Sequence, residues 1–487
     1  MSKLFFTASA IALIGGPAAA LTAPELWADW QETMAGLGTE LTATSEDYAD
    51  GTLVLVDVTD SGDLSGSASR TSYGDVTLVE QADGSVRIDV PAVMEVVSET
   101  DVEGEAVGFT MRVESEDFLN VARDEGDVRV YDSTAGSLTY GFDELPMPED
   151  EGDEFDGSFR LTMTDYASVT RIAPDDTYES TLDGSLSIVA EGSGETAFQL
   201  SYELAEIDGT ITGTVPDFGP EPDMTDIASL GLFYDLDLSH GGSTLSFSGE
   251  TETGPAQVDG TSTGGTVATS LTEEGLGYAV SSTGIAVTIT PPGFPLPMNL
   301  SAAELGSSFD MPLAVTGEPA PFGMSVIVDE LTVDESLWAL FDPTGQLPRD
   351  AATLRLQLDG TATVIANILD PEEMAALGDG APATPHSLDI TELLVSAAGA
   401  ELTGTGSLTF PDPATNPMPL GAATLGLTGG FALLDRLVAL GFVPPAQSAI
   451  IRGMAGAVTE SVGEDALRSE LEFTEGGILA NGLPLPF

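Results

Sequence analysis

The sequence predicts a β-dominated α+β protein: an extended, curved antiparallel sheet in two halves, with an N-terminal helix and a C-terminal helix pair. Three observations predict it. Most of the chain is a succession of alternating apolar and polar runs separated by Gly and Asp, the period-two signature of half-buried strands. Helical periodicity is concentrated at the two ends. The crossover helices that parallel strands require are therefore missing, and an antiparallel meander follows. Of the 487 residues, the first 20 read as a removable leader and 467 remain. That exceeds the roughly 250 to 300 at which one compact core stops growing, so two domains or one elongated sheet is expected.

The leader is a secretory signal peptide. Lys3 precedes an apolar run from Leu4 to Ile14, and Gly15-Gly16-Pro17 leads into an Ala18-Ala19-Ala20 cleavage motif. This apolar run is too short for a transmembrane helix, which takes about 20 residues, and no Cys follows it to carry a lipid. Residues 21–44 are assigned to the N-terminal helix. Thr22 and Glu25 fit a capping box with Pro24 in the first turn, and Leu26, Trp30, Met34, Leu37 and Leu41 recur at three- and four-residue spacing, widened by Trp27. Glu25, Asp29, Glu32 and Glu40 deny this helix the basic flank of an interfacial membrane helix, so it is expected to pack on the protein's own sheet.

Residues 45–215 form the first sheet half, a series of short strands. Thr52–Val58, a hairpin from Thr77 to Val90 around Asp83-Gly84, Gly108–Val113, Ser185–Ala190 after an Asp183-Gly184 turn, and a hairpin from Ala197 to Thr214 around Asp208-Gly209 carry the pattern. Pro216 to Pro222 reads as a linker, and residues 223–425 form the second half. Within it, Thr225–Asp235 followed by Ser243–Gly249 echoes the central unit described next, which points to internal duplication. Strands run through Gly277–Thr290, with breakers at Pro291–Pro297 and Pro411–Pro419. Residues 426–487 are a helical cap and last strand: a helix over Phe431–Phe442 stopped by Pro444-Pro445, a second over Ala446–Val458, alternation through Leu467–Phe473, and a Gly/Asn-rich close.

The central unit, Met311 to Gly360, packs strand, short helix, turn and strand into fifty residues. Met324–Val333 is apolar and β-branched. Asp334 can cap a single amphipathic turn carrying Leu337, Trp338, Leu340 and Phe341, which Pro343 stops, and this turn is expected to plug one end of the sheet core with Leu337, Trp338 and Phe341 inserted. Leu354, Leu356 and Leu358 then alternate with Arg355, Gln357 and Asp359 before an Asp359-Gly360 turn. The run LWALFDPTGQLPRDAATLRLQLDG resembles the signature of an alphaproteobacterial family of exported proteins, domain of unknown function 2125. Its signature positions here are Trp338, Phe341, Asp342, Pro343, Leu347, Pro348 and Arg349. The resemblance implies an exported cell-envelope protein and no particular activity. The closing pattern of helix pair, strand and short Asn-Gly piece also resembles, loosely, AsmA-like envelope proteins, which implies a long half-closed sheet.

Charge narrows the function classes. With the leader's lysine removed, twelve arginines face 80 acidic residues, a net charge of −68, and no Lys or Arg lies between Arg171 and Arg349. Such a chain needs screening by salt or divalent cations and repels phosphate backbones, which excludes nucleic acid as a partner. An apolar content of 42% with strong alternation argues for folding over disorder. No cysteine is present, so disulfides, thiolate metal sites and thiol catalysis are absent, and the lack of lysine in the mature chain removes Schiff-base and P-loop chemistry.

Catalytic residues are not selected by any motif. Gly260-Thr261-Ser262-Thr263-Gly264 fits the nucleophile-elbow pattern by accident, because no apolar strand precedes it and no helix follows. The two histidines, His240 and His386, fall in separate loops and cannot build a zinc site. Paired carboxylates could hydrolyse glycosides, yet nothing singles out a pair among so many. The acidic run Pro148–Gly157 offers Asp150, Asp153 and Asp156 as candidate Ca²⁺ ligands. Their spacing matches neither an EF-hand loop nor a nonapeptide repeat, so a solvated loop is preferred and no cofactor is otherwise expected.

Three whole-chain readings result. The preferred one is a non-enzymatic exported protein of the periplasm or cell exterior that holds an apolar ligand or lipid, or another envelope component, in a sheet groove. A carboxylate-dependent hydrolase and an outer-membrane β-barrel are the alternatives. The barrel suffers from Leu483-Pro484-Leu485-Pro486-Phe487, whose prolines forbid a closing strand, and from aromatics at 7%, lean for interfacial girdles. Export is directly testable: the secreted protein should begin at Leu21 by N-terminal mass spectrometry, and release with Met1–Ala20 intact would refute the leader.

Overall fold

Helix α1 (Ala23–Gly36) forms where its capping box predicts. Thr22 N–H donates to Glu25 Oε2 at 3.0 Å while Thr22 Oγ1 accepts from Glu25 N at 3.4 Å, so two N-terminal donors are satisfied reciprocally. The computed structural model describes residues 20–485 except 65–66, 103–104, 143–156, 194–196, 217–231, 252, 295, 379 and 412–417. The stripe Leu26, Trp27, Trp30 and Met34 is buried, as its spacing demands. The helix ends earlier than the assignment of residues 21–44. Gly38, with φ of +76°, turns the chain, and Leu41 lies in strand β1 (Thr39–Thr42), still buried because β1 pairs over the same core.

The chain divides into two units, Met1–Asp259 with Ser270–Thr272 and Gly260–Thr269 with Glu273–Phe487. In the first, α1 and β1 are followed by β2 (Ser45–Ala49), β3 (Thr52–Leu64), β4 (Ser67–Glu80), β5 (Val86–Asp89) and β6 (Val93–Val102). Next come β7 (Glu105–Glu116), β8 (Leu119–Glu125), β9 (Val128–Phe142), β10 (Gly157–Ile172), β11 (Thr177–Gly192), β12 (Phe198–Thr214), β13 (Tyr234–His240) and β14 (Ser243–Thr251). From β1 to β12 the pairings among the described residues are antiparallel. One end of β4 pairs β5 and the other pairs β6, and β9 likewise pairs β8 and β7, so β5 with β6 and β8 with β7 each fill one lane. Pro91, with no N–H to give a ladder, sits at the first break.

The first unit's core lies under α1. Its stripe meets Leu53, Leu55 and Val58 of β3, Val76 and Leu78 of β4, and Val86 and Ile88 of β5. Side chains of this size contribute about 1.5–3 kcal/mol each on full burial. A β-bulge between Leu55 and Val58, with Asp57 at φ +51°, keeps Val58 on the core face despite the three-residue step. Polar groups fix how the helix sits. Trp30 Nε1 donates to Tyr131 Oη at 3.2 Å, Trp27 Nε1 to Glu46 at 3.0 Å, and Arg129 reaches both Asp29 at 2.7 Å and Asp124. Leu21 is also buried, its N–H donating to Gly84 O at 3.1 Å.

Strands β15 (Gly254–Ser262) and β16 (Gly264–Leu271) span the division. The second unit continues with β17 (Gly275–Thr290), β18 (Met298–Pro312), β19 (Ala320–Val333), α2 (Glu335–Phe341), β20 (Ala352–Val364) and α3 (Pro371–Leu377). It then runs through β21 (Ala383–Ala397), β22 (Ala400–Thr409), β23 (Leu420–Thr428), α4 (Gly430–Ala439) and α5 (Pro445–Val458). It closes with β24 (Glu460–Gly463), β25 (Ala466–Thr474), β26 (Gly477–Ala480) and β27 (Leu483–Pro484). From β17 to β23 each strand pairs the next antiparallel, and β25 joins β23. Strand makes up 65% of the described residues and helix 12%, so the class is β-dominated α+β.

Turn reading fails at three of four Asp-Gly pairs. Asp83-Gly84 does turn the chain between β4 and β5, with Gly84 at φ +88°. Asp183-Gly184 lies inside β11, Asp208-Gly209 inside β12 and Asp359-Gly360 inside β20. Each has ladder partners on both sides, and the Gly184 site is a bulge with φ +149°. The strands are accordingly long: β10, β11 and β12 have 16, 16 and 17 residues, where short strands were expected. Bulges supply the local bend that would otherwise require a turn. At the C-terminus, Leu483-Pro484 pairs with Leu479 and Ala480 despite the proline, a two-residue edge pairing that leaves Pro484 without a donor duty. Thr225 to Gly231 lies outside the described residues, while Ser243–Gly249 of the expected echo is strand β14.

Trp30→Ala removes both the core ring and the bond to Tyr131. It should cost about 3–5 kcal/mol in denaturant unfolding of the mature protein. A loss below about 1 kcal/mol would mean that α1 does not close this core.

Candidate functional site

Two features of the second unit are built from residues that the sequence marks: the clasp around α2 and the two contrasting faces of its sheet. At the start of α2, Asp334 accepts from Leu337 N at 3.1 Å as its N-cap, from Ser336 Oγ at 2.6 Å, and from Asn299 N and Nδ2 at 3.1 and 2.6 Å. The Ser336 hydroxyl and then Asn299 hold its carboxyl down at about 2. Asn299 belongs to β18, so one carboxylate ties helix to sheet.

Asp342 does the same at the other end. Its side chain is completely buried, and Oδ1 and Oδ2 accept from Gln346 N at 3.0 Å and Leu347 N at 2.8 Å. Arg349 adds a bond from Nη1 to Oδ2 at 2.7 Å, reaches Glu335, and stacks with its guanidinium carbon 4.3 Å from the Trp338 ring centroid. Burial alone would raise the Asp342 carboxyl, but the two backbone donors and Arg349 hold it far below the usual carboxylate range. An Asp followed by Pro343 and Gly345, with φ +65° at the glycine, is the local signal for such a side-chain-organised turn.

This arrangement corrects the plug expected of α2. None of its residues is buried: Leu340 and Phe341 are exposed, and Trp338 is half-buried against Phe341 and Arg349. The loop 342–351 folds back against the helix, so the group that sinks is Asp342, with Leu347 beside it. Among the signature residues, Pro343 is exposed, while Pro348 packs at the β21–β22 turn. There its Cγ lies 3.1 Å from where a Cβ on Gly399 would stand, and Arg436 Nη1 lies 3.2 Å from the same point. The clasp and α4 therefore meet at that turn.

Register sorts the sheet into two faces. Opposite residues share a face, so Phe309, Met324, Leu358 and Ile390 form one cross-strand row over β18 to β21. Val326, Leu356 and Leu393 form the next, and Leu305, Val328, Leu354 and Val395 a third that runs on to Leu402, Leu427 and Leu467. Toward β22–β25 this apolar face is covered: Gly404, Ala423, Leu467 and Ser469 are buried, and Ser469 Oγ bonds Val458 O at the end of α5. Over β18–β21 it is open. Leu305 is 39% exposed, Phe309 38%, Met324 42% and Val395 37%.

The opposite face is acidic. Glu304, Asp310, Asp329, Asp359 and Glu392 line a hollow of about 460 Å³ together with Arg355, Ser308 and Ser325. Arg355 Nε donates to Asp329 at 3.0 Å, and this bond holds the Asp329 carboxyl below its ordinary value, the reverse of what a general acid needs. Thr391 Oγ1 donates to Asp359 at 2.7 Å.

The remaining candidates are dispersed. Asp150, Asp153 and Asp156 lie outside the described residues. Among the described residues no group of three or more His, Asp or Glu side chains is placed to hold a metal. The histidines are in strands and not in loops: His240 ends β13, and His386 in β21 has Nε2 2.8 Å from Thr363 Oγ1. Alternation around His386 is masked in sequence by flanking Pro and Ala. Ser262 ends β15 and Gly264 starts β16, without the helix a nucleophile elbow requires.

No described helix is long and apolar enough to cross a membrane. Residues 248–486 match the family model described as "Uncharacterized protein conserved in bacteria (DUF2125)". No curated protein and no solved structure matches the chain.

Asp342→Asn puts an amide donor against a backbone donor and should lower the thermal midpoint more than Trp338→Ala, which should cost about 1–2 kcal/mol. Because the folded carboxyl is depressed, its contribution is complete above about pH 4 and lost as pH falls below that. The stability gap between wild type and Asp342→Asn should therefore shrink from pH 5 toward pH 2. A gap constant over that range would mean that Asp342 is not the buried carboxylate of the clasp.

Proposed function

We propose that this chain, whose C-terminal half belongs to the family of uncharacterized bacterial proteins just described, is an exported, non-enzymatic envelope protein that holds an apolar chain of a lipid. The observation that carries this reading is the open apolar face over β18–β21. Three successive cross-strand rows of Leu, Ile, Val, Met and Phe remain partly exposed there, and among the described residues the contiguous buried core cluster belongs to the first unit. A contiguous uncovered apolar surface on a folded domain calls for an occupant, and a linear acyl chain fits a surface that is apolar along its rows and offers no acid or base.

The acidic opposite face supports the ligand class. A chain of net charge near −68 disfavours free fatty acids and other anionic amphiphiles, so a neutral or zwitterionic lipid is the expected occupant. Export supports the setting. Cleavage after Ala20 would leave Leu21 as the first residue, already buried and bonded to Gly84.

The test is organic extraction and mass spectrometry of the protein secreted from its bacterial host, followed by binding of a fluorescent neutral diacyl lipid to delipidated protein. Wild type should carry or bind lipid, and Leu356→Asp, which places a charge in the middle row, should reduce binding by at least about tenfold while its circular dichroism is unchanged. Equal binding by Leu356→Asp would move the ligand off this face, and absence of any binding would reject the reading.

A further inference from the structure

Helix α5 is amphipathic in the inverted sense. The side it turns to the protein carries Ser448, which is buried, and Arg452, whose Nη2 donates to Phe431 O at 3.2 Å and Asp435 at 2.6 Å and whose guanidinium carbon lies 4.6 Å from the Phe431 ring centroid. The side it turns to solvent carries Ile450, Ile451 and Met454, 61%, 45% and 66% exposed, with only Ala, Gly and Gln447 between them. Phe442, in the α4–α5 turn, is 55% exposed. A helix in water places its polar residues outward, so this one is built for a surface that is not water.

Charge selects the surface. Between Asp412 and Glu460 the chain has a single acid, Asp435, which is paired with Arg452, and two arginines. This stretch is thus without net negative charge in a protein that carries 80 acids. A second copy would bring the same large negative charge against the first, and an anionic bilayer would repel the rest of the chain. A zwitterionic bilayer incurs neither penalty. We infer that the α4–α5 hairpin docks this protein on the surface of a neutral phospholipid membrane, with Phe442, Ile450, Ile451 and Met454 seated among the acyl chains at the interface and Arg452 kept on the protein side. Interfacial helices bury their apolar face to about 5–10 Å in this way without spanning. The inference rests on α5 and is independent of whether the sheet face holds a lipid.

The experiment is flotation of the full mature chain with phosphatidylcholine vesicles. Wild type should float with the vesicles, and Ile450→Asp/Met454→Asp should reduce partitioning by at least about tenfold, since both positions are exposed and both apolar contacts are lost. Val315→Asp, an exposed apolar site elsewhere in the second unit, should float as wild type does. Replacing part of the phosphatidylcholine by phosphatidylglycerol at low salt should weaken flotation. Wild type remaining in solution, or Ile450→Asp/Met454→Asp floating unchanged, would overturn the inference. So would a wild-type dimer in light scattering that becomes monomeric in that variant while neither floats, since α5 would then be a contact between copies.

Discussion

A sheet with one apolar face has to cover that face, and in this protein the two units meet the requirement differently. In the first, a single 14-residue helix does so: Leu26, Trp27, Trp30 and Met34 interlock with β3, β4 and β5, and the cluster extends from Leu21 to Ile172. In the second, the helices α2, α4 and α5 gather near the strand ends and the β22–β25 side, and the rows over β18–β21 stay partly open. The clasp around α2 explains why α2 does not serve as a lid. Its two ends are pinned by Asp334 to Asn299 and by Asp342 to Leu347, which fixes the helix at the ends of β18 and β19 with Trp338 between Phe341 and Arg349.

The scarcity of cations makes each arginine's position informative. With twelve available, several sit at structural seams. Arg129 joins α1 to β8 and β9, Arg349 joins the clasp loop to α2, Arg355 neutralises Asp329 within the acidic face, and Arg452 joins α5 to α4. Arg129 and Arg349 face deeply buried or half-buried partners, where an unpaired carboxylate would be costly, whereas Arg468–Glu470 is an exposed pair of the kind that contributes little. On the β18–β21 sheet the acids Glu304, Asp310, Asp359 and Glu392 line the face opposite the apolar rows. The nearly uncharged α4–α5 hairpin is the exception, and the inferred contact with a neutral membrane follows from that contrast.

Much of this was legible in the sequence. The capping box of Thr22 and Glu25 fixed where α1 starts, Asp334 fixed where α2 starts, and Pro444-Pro445 separated α4 from α5, because caps and prolines act within one turn of chain and need no distant partner. Alternation through Leu354, Leu356 and Leu358 likewise marked a strand and one of its faces. The class of fold, the acidic balance and the exclusion of thiol and lysine chemistry depend on composition and local period alone.

What only the tertiary structure decided are the features that depend on a partner far away in sequence. Whether Asp-Gly turns or continues a strand is set by the strands on either side, which is why Asp83-Gly84 and Asp208-Gly209 differ although their letters are the same. Whether an apolar residue is core or surface is set by what lies over it: Trp30 finds β9's Tyr131 about a hundred residues on, whereas Met324 and Ile450 stay exposed. The same holds for Asp342. Its letter was visible within the family signature, but its depth follows from a loop folding back onto it, and hydrophobicity along a chain does not encode which side a loop will cover.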